Sequence, residues 1–164
     1  RGLGFTRVVA EEERAIVSRD ELERQLAVTL AGRAAEELAL GQATTAAKDD
    51  LRQATDLARR MVCELGMSDV LGRRSLGQAS TSPFLDDGQI VVDYSAEVAA
   101  QIDKEIGRLV DTAFHRATQI LSENHAVLKD LATDLVRRET LRQPDLVTFA
   151  ERVSREKLRV AGAS

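Results

Sequence analysis

The sequence predicts a mainly α-helical protein built as a helical bundle. Of its 164 residues, 43% are hydrophobic but only 3% are aromatic, and tryptophan is absent. A composition rich in Ala, Leu, Val, Arg and Glu is typical of helices that pack on one another through small contacts. Apolar residues also recur three and four positions apart over several long segments, which is the period of one helix face. Length and composition together fit one compact domain.

The first predicted helix begins after Ser18. The segment Ser18-Arg19-Asp20-Glu21 matches a capping box, in which the Ser18 hydroxyl and the Glu21 carboxylate each satisfy a backbone N–H group of the first turn. Gly41 supplies the C-terminal stop. The apolar stripe between these ends consists of Leu22, Leu26, Leu30, Ala34 and Leu38, widened by Ala27, Ala31 and Ala35.

A second helix is expected after a short linker, so that the two helices form a hairpin with a polar corner. Thr44 or Thr45 is the expected cap, and Gly66 is the expected end. Its predicted core positions are Leu51, Ala54, Ala58, Met61, Val62 and Leu65. The single cysteine, Cys63, lies about 120° from this apolar stripe at roughly 100° per residue, so we interpret it as a bystander rather than a nucleophile.

A long third helix is expected from Ser95 to about Ser122. Its apolar stripe consists of Val98, Ile102, Ile106, Leu109, Ala113, Ala117 and Ile120. The expected partners of this helix are the first two helices and two shorter ones near the C-terminus. One of the shorter helices spans Asn124 to Arg138, with Leu128, Leu131 and Leu135 on its apolar face. The other spans Pro144 to Val153, with Leu146, Phe149 and Val153 on its face.

Three segments do not follow the helical period. Residues 2–9 are expected to form a short N-terminal strand. Residues 67–93 contain several glycines, a proline and two short β-like pieces, 74–76 and 89–92, which predict a loop or a small β-hairpin insertion. Residues 154–164 are polar and are expected to form a flexible tail, so the predicted domain is 1–153.

Charge and hydropathy exclude several classes of function. The net charge is −4 with acidic and basic residues interspersed, which argues against nucleic-acid binding. No apolar run approaches the roughly 20 residues that span a bilayer, and the N-terminus has no signal or transit pattern, so the chain itself is expected to be soluble. A single cysteine suits a reducing compartment. The chain starts with Arg1 rather than Met, which we interpret as a fragment of a longer protein.

Four carboxylates flank the predicted corner between the first two helices. Glu36 and Glu37 end the first helix, and Asp49 and Asp50 begin the second. Carboxylates at such a corner can ligate a metal ion, but each has a structural alternative. The glutamates can pair with Arg33 or another arginine, and the aspartates can complement the positive end of the helix dipole. The residues alone favour these structural alternatives.

The usual zinc-binding helix, H-E-x-x-H, is absent from the sequence. The two histidines, His115 and His125, do not have the spacing of neighbours on one helix face. A complete zinc site is therefore not predicted from these residues alone.

Several motifs in order resemble the protease domain of the FtsH family, which are membrane-anchored AAA+ zinc proteases. They are G-R-A-A-E-E-L-A-L-G at 32–41, T-T-A-A-K-D-D-L-R-Q-A-T-D-L-A-R-R-M-V at 44–62 and G-M-S-D-V-L-G at 66–72. The resemblance continues through Tyr94–Val98, the long helix and the Glu139–Leu141 turn. It therefore covers nearly the whole chain, from Gly4 to about Val153.

The resemblance implies a zincin-like helical fold and a zinc site. In that family two histidines of an H-E-x-x-H helix bind the metal, and the third ligand is an aspartate that matches Asp50. Glu36 matches a glutamate that supports a histidine ligand, and we place Glu37 beside it in the surroundings of the metal. The chain begins just after the position of the H-E-x-x-H helix, so the general base is expected outside it. This segment alone is expected to be inactive and to bind zinc poorly.

Two residues depart from the family pattern. Ala46 replaces the usual glycine, and Asp49 replaces the usual asparagine, which adds a charge beside the implied metal ligand. Alanine is harmless there at negative φ but strained at positive φ.

The resemblance also implies partners. Protein substrates, unfolded or membrane-embedded, would bind in extended form beside a strand at Gly4, Phe5 and Thr6. ATP would act only through an ATPase module that this chain does not contain, and the complete enzyme would form a homo-oligomer, expected to be a hexamer. The membrane anchor would lie in other segments, with this domain in the cytoplasm or an organelle interior.

Three hypotheses follow. The first is a C-terminal part of an ATP-dependent zinc metalloendopeptidase that serves protein quality control. The second is a noncatalytic pseudoprotease module that holds an AAA+ ring together. An unrelated helical bundle is disfavoured because the motifs occur together in order. Whether H-E-x-x-H lies immediately upstream of Arg1 in the gene distinguishes the first two hypotheses.

Overall fold

The computed structural model describes residues 16–42, 45–76 and 94–153. Within these ranges the chain forms α1 (Arg19–Leu40), a 3₁₀ turn (Thr45–Ala47), α2 (Lys48–Cys63), α3 (Ala96–Glu123), α4 (His125–Arg138) and α5 (Gln143–Arg152). The predicted mainly helical fold is confirmed. The expected strand at 2–9, the β-like piece at 89–92 and the tail at 154–164 all lie outside the described residues.

Helix α1 has the ends that the sequence predicts. The Ser18 hydroxyl accepts a 3.2 Å hydrogen bond from the Glu21 backbone N–H group. At the other end, Gly41 takes a left-handed conformation with φ 65°, and its N–H group donates to the Glu37 carbonyl at 2.9 Å. Glycine adopts this conformation without a steric penalty, which ends the helix cleanly. The buried face consists of Leu22, Leu26, Ala27, Leu30 and Ala34.

A 3₁₀ turn leads directly into helix α2. Thr45 belongs to this turn, and Ala47 precedes α2 without a side-chain hydrogen bond to it. The other expected cap, Thr44, lies outside the described residues. The turn packs against α1, where Ala47 is buried, so this apolar contact anchors the start of α2.

The described part of the segment after α2, residues 67–76, is a loop, which is one of the two expected alternatives, but its predicted β-like piece is not formed. Residues 74–76 form no strand; instead the Leu76 N–H group donates a 2.7 Å hydrogen bond to the Cys63 carbonyl at the end of α2. The only pairing of β type in the described residues is an isolated bridge between Ser68 and Gly72. The loop is therefore folded back on the helix that precedes it.

The core lies where α1, α2 and α3 pack against one another. Each of these three helices contacts the other two. Burial of apolar surface contributes roughly 25 cal/mol per Å², so this shared face holds most of the stabilising contacts of the described fold. The largest fully buried side chains are Leu26, Leu30, Met61, Val62 and Ile102.

Two of the core positions predicted for α2 are wrong, and the cysteine placed off its apolar stripe is buried. Leu51 is 39% exposed and Leu65 is 47% exposed, whereas Cys63 is only 8% exposed. The fully buried residues of α2 lie between Leu51 and Leu65, and Leu65 follows the end of the helix, where the helical phase no longer applies. Cys63 is buried because the loop that follows α2 returns to its carbonyl.

Helices α4 and α5 extend from the end of α3 and bury no residue completely. Only Asn124 separates α3 from α4. Helix α5 packs against α4 and makes no close backbone contact with α3; its side chains face the end of the long helix across an apolar groove. An apolar groove with a volume of about 270 Å³ runs between these elements, with Leu121, Leu128 and Phe149 in its lining. None of the described helices has the length and apolar content needed to cross a membrane.

Candidate metal centre

Asp50 lies in the first turn of α2, on the face that packs against α1. It precedes Ala54 by four residues and Ala58 by eight, and such residues stack on one side of a helix. Ala54 and Ala58 are both fully buried, whereas Asp50 is half-buried. The Asp50 carboxylate therefore emerges at the margin of the α1–α2 contact, with one side open to solvent.

The Asp50 carboxylate lies against the backbone of α1 at Gly32. A Cβ atom built on Gly32 would lie 3.5 Å from Asp50 Oδ2, and among the described residues no other atom beyond the adjacent turns of α1 lies within 4 Å of it. Glu36 follows Gly32 by four residues and so shares its face of α1. Glu36 is half-buried as well. The fold thus places the expected ligand against the face of α1 that carries the glutamate expected to support the metal site. The contact is made at Gly32, to which the sequence analysis assigned no role.

Asp49 points elsewhere. Its side chain is 77% exposed, and its nearest cationic partner is Arg52, at 3.8 Å within the same helix. Ion pairs with this exposure contribute little to stability, commonly below about 1 kcal/mol. The position at the start of α2 suits a carboxylate that complements the helix dipole. The two adjacent aspartates therefore differ in burial and direction.

Glu37 forms an ion pair within α1. The Arg33 Nε–H group donates to Glu37 Oε1 at 2.7 Å, and the Arg33 side chain is only 17% exposed. This pair is the structural alternative that the sequence left open for Glu37. The ion pair orients both side chains along the last two turns of α1.

The donor set of the described residues supplies one candidate zinc ligand. No group of three or more His, Cys, Asp or Glu side chains in this part of the chain could hold a metal ion. His115 and His125 are exposed on α3 and α4. Asp50 makes no hydrogen bond or ion pair with the described residues, and an ionised carboxylate is a ligand that zinc accepts. The Asp50 carboxylate is therefore suited to serve as one zinc ligand. The expected substrate strand at Gly4, Phe5 and Thr6 lies outside the described residues.

A second carboxylate, which the sequence analysis missed, is buried away from this corner. Glu105 on α3 is 4% exposed and accepts hydrogen bonds from Ser68 and Arg108. A signal was present, because Glu105 lies three residues after Ile102 and four before Leu109, within the apolar stripe of α3. Its partners satisfy its oxygens, so the geometry assigns it to the scaffold rather than to a metal site.

Comparison with known proteins identifies the family to which the chain is similar. The model of peptidase family M41 matches residues 1–149. The chain is 40% identical over 171 aligned residues to the ATP-dependent zinc metalloprotease FtsH of Pseudothermotoga lettingae, with 100% of the chain and 27% of that relative covered. It is 46% identical over 141 residues to FtsH 4 of Sorangium cellulosum, with 85% of the chain and 22% of that relative covered.

The match to the Mycobacterium bovis FtsH protease is 42% identical over 159 residues and covers 94% of the chain and 21% of the relative. These similarities place the chain among the peptidases. It belongs to peptidase family M41, which confirms the FtsH resemblance of its motifs. The chain spans about a quarter of the length of these relatives.

Proposed function

We propose that this chain works as part of an ATP-dependent zinc metalloendopeptidase that degrades unfolded or membrane proteins. Membership of family M41 and the names of the relatives support the reaction class. One observation supports a specific residue as the zinc ligand. The Asp50 carboxylate is half-buried, has no ion pair among the described residues, and lies against the face of α1 that carries Glu36. Asp50 is proposed as the third zinc ligand.

The packing of α1 against α2 would fix the orientation of the Asp50 side chain. Helices hold a side chain more rigidly than loops do, and α1 limits the positions open to the Asp50 carboxylate. Glu36 would support a histidine ligand from the proposed H-E-x-x-H helix, and Glu37 would hold Arg33 at the edge of the site. Bound zinc polarises water and the scissile carbonyl of a peptide.

The remaining parts of the enzyme are proposed from the family alone. Gly4, Phe5 and Thr6 would bind extended protein substrate by strand addition. ATP would bind an ATPase module, the membrane anchor would lie in further segments, and six copies would form the assembly. In this arrangement the α1–α2–α3 bundle is both the support of the zinc ligand and a scaffold for assembly.

A noncatalytic assembly module is the second candidate function. It is favoured by the donor set, since the described residues offer one ligand where catalytic zinc sites use about three protein ligands. Zinc content of the complete gene product separates the two functions. Near-stoichiometric zinc supports the peptidase, and its absence after dialysis against zinc supports the assembly module.

The assignment of Asp50 is tested by Asp50→Asn and the matched change Asp49→Asn in the complete gene product. Asparagine keeps the size of the side chain but removes the anionic oxygen that zinc would bind at about 2.0–2.2 Å. Proteolysis and zinc content should collapse in Asp50→Asn while ATPase activity persists. Asp49→Asn should retain most of both, because a first-turn charge contributes at most about 1 kcal/mol.

Two results would contradict this assignment. If Asp50→Asn keeps wild-type zinc and proteolysis, or if Asp49→Asn is the variant that loses them, Asp50 is not the ligand. The 164-residue chain by itself should bind zinc weakly and should not cleave casein. Stoichiometric zinc in the isolated chain, lost on mutation of Asp50, would mean that further ligands lie within it.

A further inference from the structure

We propose that Gly32 is a positioning residue for Asp50, and that the lack of a bulky side chain at this position decides where the Asp50 carboxylate lies. This inference rests on the proposed role of Asp50 as a zinc ligand. Neither the family match nor the names of the relatives assigns a role to Gly32. The observation behind it is the 3.5 Å distance between Asp50 Oδ2 and a Cβ atom built on Gly32.

Gly32 lies in the interior of α1, where glycine is less favourable than alanine because it loses more backbone freedom on folding. It is exposed, so no packing requirement of the core demands a small residue there. Gly107 on α3 is the other helical glycine of the described residues, and a Cβ atom at that position would meet nothing within 4 Å. Gly32 therefore differs from Gly107 in its contact with the carboxylate of Asp50, the proposed zinc ligand.

The available space sets a size limit at position 32. A distance of 3.5 Å is ordinary van der Waals contact, so alanine fits without displacing Asp50. A β-branched side chain fills two of the three staggered positions around Cβ and has little rotamer freedom in a helix. Valine at this position would push the carboxylate away from α1. Metal ligands must lie within about 0.2 Å of their required distances, so even a small displacement weakens coordination.

The test compares Gly32→Val with Gly107→Val in the complete gene product. Both variants place the same residue in a helix interior, so their difference excludes the effect of helix propensity. Zinc affinity, measured by competition with a chromophoric chelator, should fall roughly 10- to 100-fold in Gly32→Val, the range found when the support of a metal ligand is removed. The absorption spectrum of bound Co²⁺ should change in the same variant. Gly107→Val should match the wild type in both measurements.

A second measurement requires no metal. With zinc removed by chelation, the midpoint of urea unfolding should be lower in Gly32→Val than in Gly107→Val. This excess should disappear when Asp50 is also changed to Ala, because the displaced carboxylate is then gone. The double-mutant comparison tests the contact between residues 32 and 50 independently of zinc chemistry.

The outcomes separate the two proposals. Wild-type zinc affinity in Gly32→Val, or an excess destabilisation that persists without the Asp50 side chain, overturns the positioning role. If the wild-type protein and Asp50→Asn bind zinc equally, the proposed ligand is wrong, and the positioning role that rests on it falls with it. In that case the unfolding comparison still reports whether the Gly32–Asp50 contact constrains the side chain.

Discussion

The Ser68 hydroxyl donates a 2.9 Å hydrogen bond to Glu105 Oε2, although 37 positions separate the two residues in sequence. Both residues are buried, at 3% and 4% exposure. Arg108 donates two further hydrogen bonds to the same carboxylate, at 3.0 and 3.2 Å. Next to Ser68, Asp69 accepts hydrogen bonds from Arg19 of α1. The loop after α2 is therefore tied to both α1 and α3 through polar groups.

Replacing Glu105 with Ala should destabilise the fold by about 1–3 kcal/mol, the cost of leaving buried polar partners without their acceptor. Arg108 is 47% exposed and can form hydrogen bonds with water instead. Most of the cost therefore comes from the buried Ser68 hydroxyl, which loses its acceptor. Urea unfolding measures this change. Asp103→Ala, an exposed site on the same helix, is the control and should stay within about 0.5 kcal/mol of the wild type. Equal effects of the two substitutions would show that the buried network does not stabilise the fold.

The contribution of Glu105 should depend on pH. The hydrogen bond from Arg108 lowers the pKa of Glu105 below its ordinary value of 4.5; desolvation opposes this shift, and the hydrogen bond from Ser68 adds to it. A carboxylate whose pKa is lowered by folding stabilises the protein fully above the unfolded value and loses this contribution as the pH falls through the folded value.

The stability difference between wild type and Glu105→Gln should therefore be constant near neutral pH and shrink below about pH 4.5. Urea unfolding at a series of pH values from neutral to acidic measures it. A difference that grows as the pH falls would contradict the direction of the shift.

Cys63 should react slowly with thiol reagents while the protein is folded. The thiol is buried, and desolvation raises its pKa above the ordinary value of 9.0, with the charge of Arg59 acting in the opposite direction. Because the thiolate is the reactive form, alkylation by iodoacetamide at pH 7.5 should be much slower in the native protein than in urea. Mass spectrometry over time gives both rates. Rapid labelling of the folded protein, or loss of proteolysis in Cys63→Ala, would contradict the interpretation of Cys63 as a bystander.

The complete gene product should self-associate, with six copies as the expected number. Helices α4 and α5 bury no residue completely, and four apolar side chains on them are well exposed: Leu135 at 43%, Val136 at 83%, Leu146 at 42% and Val147 at 48%. A second copy that covered these helices would remove this apolar surface from water, which favours association. Light scattering after size-exclusion chromatography measures the mass directly. A strict monomer at high micromolar concentration would rule out a ring.

Predictions based on local sequence succeeded where the cause is local. The cap of α1 at Ser18, its stop at Gly41 and the start of α3 at Ser95 all follow from residues within one turn. The buried positions of α3 follow its apolar period, with Ile102, Ile106, Leu109, Ala113 and Ala117 all buried. At the start of α2, Thr45 is not the cap, because a 3₁₀ turn that includes it packs against α1 and precedes the helix.

The sequence by itself determined the helices, the family and the identity of the candidate ligand, because capping, periodicity and ordered motifs are properties of short segments. The tertiary structure alone decided which side chains meet: Gly32 with Asp50, Ser68 with Glu105, and the returning loop with Cys63. These contacts join residues far apart in the chain, and their geometry depends on how α1, α2 and α3 pack. A pattern within one helix records which face is apolar, but not which residue of another helix that face will touch.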